Sequence, residues 1–147
     1  MLNFKKSKLG FTLIELMVVV AIIGVLALLG LRLYTNQQEK AKMALVKANA
    51  GTVQVQIQTA LVDDTIGDVE TDVGAAAATS ALISSANIFN PYTGDQQTIN
   101  GTDGASGTEH AGEVYVTTTT GTGVFLVNGN DVNGDPVYAG DGLIAQK

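Results

Sequence analysis

The feature that most constrains this chain is the run Phe11–Leu31, FTLIELMVVVAIIGVLALLGL, in which Glu15 is the single charge. As a helix at ~1.5 Å per residue it would be roughly 31 Å long, the thickness of a bilayer's hydrocarbon core. A cleaved secretory signal would have an apolar stretch of only ~7–15 residues and a small-residue cleavage site after it. Here the apolar run leads instead into Arg32-Leu33-Tyr34. A spanning helix is therefore the stronger reading, with Tyr34 as an interfacial anchor.

Charge divides the rest. Residues 1–50 contain Lys5, Lys6, Lys8, Arg32, Lys40, Lys42 and Lys47 against Glu15 and Glu39. Beyond residue 50, Lys147 is the only Lys or Arg, and every other charged residue is acidic. The net charge of −6 argues against nucleic acid as the main partner. There is no cysteine, which removes disulfides and thiolate chemistry. A single histidine, His110, leaves little for imidazole catalysis, and its Gly/Ser-rich surroundings suggest a solvated side chain. No Ser/His/Asp set or phosphate loop is present, so no enzymatic activity is expected.

Gly10 followed by Phe11-Thr12-Leu13-Ile14-Glu15-Leu16-Met17-Val18-Val19-Val20 resembles the prepilin signature shared by type IV pilins and type II secretion pseudopilins. The resemblance covers about 25 residues, including the basic leader. It implies a prepilin peptidase that cuts between Gly10 and Phe11, then methylation of the Phe11 amine. It also implies that Glu15 neutralises the Phe11 amine of a neighbouring subunit as a filament grows. Two opposite charges attract strongly in a low-dielectric bundle, and each is costly there without a partner. Positive charges flank both ends of the run, so orientation follows the family pattern: leader in the cytoplasm, acidic half outside.

The implied organisation is a leader (1–10), a long helix (11–62, with 11–31 in the membrane or filament core) and an acidic, Gly/Thr-rich head (63–147). The fold class is α+β, a long helix against a small antiparallel sheet. Ala41, Ala44, Leu45, Ala48 and Val55 read as one apolar helical stripe, and Val53, Ile57, Ala60 and Leu61 also fit helical spacing. Thr52–Gln58 alternates like a strand, so the helix ends either near Gly51 or near Val62. Many pilins have a proline where Arg32 stands. Here Gly24 and Gly30 are the weak points, either sites of helix melting on assembly or small residues for close packing. Ala75–Ala86 reads as a short helix or linker. Glu113–Thr119 and Val124–Val127 read as a hairpin, with Val137-Tyr138 and Leu143-Ile144 as further strands. With eight aromatics in all, the head needs the helix as one wall of its core.

Asp131, Asn133 and Asp135 alternate like calcium ligands, but Pro136 and Gly142 stand where an EF-hand needs glycine and a bidentate acid. An acidic turn without metal is the plainer reading, and no cofactor is required. Asn100-Gly101-Thr102 fits a glycosylation pattern, and Thr117–Thr120 an exposed strand face. Lys40, Lys42, Lys47 and Arg32 are expected to meet acids of neighbouring heads. The resemblance implies a pilus subunit made as an inner-membrane precursor and exported to the cell surface. Its expected partners are itself, the prepilin peptidase and the inner-membrane assembly machinery. The alternatives are a major pseudopilin and a monomeric membrane-tethered binding protein.

Overall fold

The computed structural model describes residues 10–74, 86–97, 110–119, 121–140 and 142–147. The expected segment Ala75–Ala86, except Ala86 itself, and the Asn100-Gly101-Thr102 sequon lie outside these residues. Helix α1 spans Leu13–Asp63, 51 residues. The chain forms two compact units, Met1–Gln38 and Glu39–Lys147.

In the first unit, every large apolar side chain from Phe11 to Tyr34 is more than half exposed. This stretch is long and apolar enough to cross a membrane.

In the second unit, α1 continues through Gly51 to Asp63. Glycine costs ~1 kcal/mol against alanine in a helix, and burial of the flanking apolar residues outweighs it. Val46, Ala50, Val53, Ile57, Ala60 and Leu61 are buried at spacings of three and four. The alternation in Thr52–Gln58 is thus overruled by the longer helical period. The stripe expected from Ala41, Ala44, Leu45, Ala48 and Val55 is not the core face: all five are exposed. Spacing identifies a face, but cannot say which of two faces the head will cover.

A second helix, α2 (Ile66–Gly74), was not expected. Thr65 caps its start: Thr65 Oγ1 accepts the Asp68 N–H at 3.3 Å and donates to Asp68 Oδ2 at 2.6 Å. Val69 and Val73, one turn apart, are buried.

Three antiparallel strands follow in the order β1-β2-β3. They are β1 (Val114–Thr119), β2 (Val124–Gly129) and β3 (Leu143–Gln146). Val116 pairs with Val127 and Phe125 with Ala145, so their side chains share one face. That face, with Val114, packs on the buried residues of α1 and α2 in a single core. Val137-Tyr138 is not a strand. Pro136 makes an isolated bridge to Asn130 instead, and Asn128 holds Tyr138 through Oδ1 to its N–H and Nδ2 to its carbonyl, each 3.2 Å.

Side chains close part of both sheet edges. Gln54 Nε2 donates to the Ile144 carbonyl at 2.7 Å and Gln58 Nε2 to the Gln146 carbonyl at 2.8 Å. The match is metric: four residues of helix rise ~6 Å and two of strand ~6.6 Å. At the other edge, Gln97 Oε1 accepts the Val114 N–H at 3.1 Å and its Nε2 donates to the Gly112 carbonyl at 2.5 Å.

Candidate assembly site at the helix N-terminus

Gly10 and Phe11 precede α1 without helical structure, and both are exposed, Phe11 to 92%. A methyl group placed on Gly10 would meet nothing within 4 Å. Bulk at this position is therefore not limited by the fold.

Thr12 and Glu15 form a reciprocal capping box. Thr12 Oγ1 accepts the Glu15 N–H at 3.3 Å, while Glu15 Oε2 accepts the Thr12 N–H at 2.9 Å and the Thr12 hydroxyl at 2.7 Å. Two donors left open by the helix start are thereby satisfied. Both Thr12 bonds fall on Oε2, and Glu15 Oε1 has no hydrogen-bond partner among the described residues. The box holds the carboxylate by one oxygen and presents the other. Beside it, an open apolar groove of about 400 Å³ is lined by Phe11, Ile14, Glu15, Val18 and Val19.

Sequence reasoning singled out Glu15 but missed Thr12, although the T-x-x-E spacing was legible as a capping box. Gly24 and Gly30 lie within continuous helix, and a methyl group at either would meet nothing within 4 Å.

Several other candidates have partners within the second unit. Asp131 Oδ1 accepts the N–H groups of Asn133 and Asp135 at 2.7 and 3.0 Å, closing its own turn. Among the described residues no three His, Cys, Asp or Glu gather to hold a metal. His110 is half-buried rather than solvated, with Nδ1 2.9 Å from Glu113 Oε2. Lys42 lies over the Tyr92 ring at 5.0 Å and Lys47 over Tyr138 at 5.5 Å, so these two cations face rings of their own chain. Thr117 and Thr118 are half-buried and Thr119 exposed.

Residues 5–31 match the family model of the prokaryotic N-terminal methylation motif. Over this segment and the residues after it the chain is similar to type IV fimbrial proteins. It is 40% identical over 84 residues to a probable minor fimbrial protein of Dichelobacter nodosus, covering 56% of this chain and 53% of that one. It is 42% identical over 59 residues to the type IV major fimbrial protein FimA of the same organism, covering 40% and 38%. Fimbrial protein Q of Moraxella bovis is 36% identical over 90 residues, covering 54% and 57%. The chain thus matches about half or less of the length of these curated relatives. No solved structure matches significantly.

Proposed function

We propose that this chain is a structural, non-enzymatic subunit of a type IV pilus. Its precursor sits in the inner membrane with the leader, residues 1–10, in the cytoplasm. Prepilin peptidase cuts after Gly10, the Phe11 amine is methylated, and the assembly machinery adds the subunit to an extracellular filament. Gly24 and Gly30 are where α1 would unwind during that addition.

The observation that carries this reading is the Glu15 capping box at the head of an exposed apolar helix. Phe11, whose amine cleavage would free, stands four residues before Glu15 in the sequence, at the start of a run whose large side chains are all exposed. The uncommitted Glu15 Oε1 can take a neighbour's Phe11 ammonium without breaking the capping box. Glu15→Ala should leave cleavage and membrane insertion intact while depleting surface filaments, because breaking a buried pair costs ~3–5 kcal/mol. For a simple anchor the same change removes an expensive charge and eases insertion. Filaments at normal number from Glu15→Ala, or an unprocessed Met1 in sheared filaments by intact mass, would refute the proposal. The fimbrial names of the relatives favour a pilus over a pseudopilus.

A further inference from the structure

Asparagine followed by glycine is the pair in which a side-chain amide is most open to attack by its own backbone, because glycine has no Cβ to shield the peptide nitrogen. Asn128-Gly129 and Asn133-Gly134 are two such pairs among the described residues, and the fold treats them oppositely. Asn128 is 3% exposed on β2. Its Nδ2 donates to the Tyr138 carbonyl, and its Oδ1 accepts the Gly129 N–H at 2.8 Å and the Tyr138 N–H at 3.2 Å. A methyl group on Gly129 would strike Val46, so the peptide that would have to turn is pressed against α1.

Asn133 is exposed, and its side-chain amide has no hydrogen-bond partner among the described residues. Its turn is tied to itself. Asp131 Oδ1 accepts the Asn133 and Asp135 N–H groups, and the Asp131 N–H donates to the Asp135 carbonyl at 2.8 Å. Gly134 is buried in this turn at φ +82°, and its N–H reaches the Asp131 carbonyl at 3.2 Å, the longest of these bonds. Releasing that nitrogen separates no strand, whereas releasing Gly129 opens the end of β2.

We infer that Asn133 is a site of spontaneous covalent modification by deamidation, selected over Asn128 by the fold. The Gly134 nitrogen gives up its proton and attacks Asn133 Cγ. The N–Cγ bond forms, the Cγ–Nδ2 bond breaks, and Nδ2 leaves as ammonia with the proton. Water then opens the succinimide at either carbonyl, leaving aspartate or isoaspartate. Both products place a new negative charge between Asp131 and Asp135. Isoaspartate also lengthens the main chain by a methylene, which pulls the Asp135 N–H away from Asp131 Oδ1. The loosened turn leads into Tyr138, whose hydroxyl donates to the Lys47 carbonyl on α1 at 3.2 Å.

The test is to age the full-length chain in detergent micelles at mildly alkaline pH and localise mass changes by fragmentation. Asn133 should gain about 1 Da, and isoaspartyl methyltransferase should label the same residue. Asn128 should convert at least about a hundredfold more slowly, because its reaction waits for the sheet to open. In urea, where the fold no longer distinguishes them, the two should convert within about threefold of each other. Asn133→Gln should abolish the gain at this position and leave the head's unfolding midpoint unchanged. In the aged chain, amide exchange at Asp135 should rise at least about tenfold. Asn133 retaining its mass in the folded chain would overturn the site. Asn128 converting as fast as Asn133 in the folded chain would overturn the selection by the fold, and unchanged exchange at Asp135 would overturn release of the turn.

Discussion

Thr12 matters because it orients Glu15. An N-cap threonine is worth ~0.5–2 kcal/mol, and here the same bonds hold the carboxylate by one oxygen. Thr12→Val should therefore fray Leu13–Glu15 and reduce assembly several-fold without blocking cleavage, and Thr12→Ser should restore it. Amide exchange in micelles and counts of surface filaments would test the two parts. At the head, burial above all, with the negative charges of Asp131 and Glu39, raises the Tyr92 phenol above its ordinary pKa of 10.0. Burial raises Tyr115 likewise. A raised folded-state pKa means that the unfolded chain loses its proton first as pH climbs. The tyrosines' contribution to head stability should be complete below about pH 10 and fall above it. Tyr92→Phe should flatten that fall in urea melts at pH 9–11, roughly the window around the ordinary tyrosine value. Equal slopes in both proteins would rule Tyr92 out as a source.

At the scale of elements, the informative pair is α1 and β3. Gln54 and Gln58 occupy edge groups of β3 that would otherwise be open to another strand. Replacing both by alanine should cost ~1–3 kcal/mol and increase association of the head at that edge. Light scattering alongside chemical denaturation of the full-length chain would measure both, and an unchanged midpoint would count against the clamp. The loop before β3 is equally constrained. Gly142 has φ +81°, and a methyl group there would strike the Val127 carbonyl oxygen, a backbone atom that cannot swing aside.

At the scale of the whole second unit, helix and sheet form one core. Ile57 and Phe125 are both fully buried in it, one on α1 and the other on β2. Truncation of either to alanine should destabilise the head by similar amounts, ~2–5 kcal/mol. If α1 were only an anchor, Ile57→Ala would leave the head's unfolding midpoint where it was.

Sequence alone determined the features that depend on local chemistry. An apolar run of bilayer length with one acid is legible because hydrocarbon tolerates few alternatives. The motif around Gly10, Phe11 and Glu15 is legible because it is contiguous in the chain and needs no distant partner. The hairpin followed from β-branched runs around glycines, and Gly121 and Gly123 do take positive φ. Tertiary structure decided what depends on distant partners. Both apolar faces of α1 satisfy helical spacing, and only the position of the sheet selects Val46, Ala50, Val53 and Ile57 for burial. Helix α2 escaped notice because nine residues with three acids gain their stability from Val69 and Val73 in a core assembled elsewhere. The seats of Lys42 and Lys47 depend on tyrosines about 50 and 90 residues away in the chain, a separation over which local pattern carries no information.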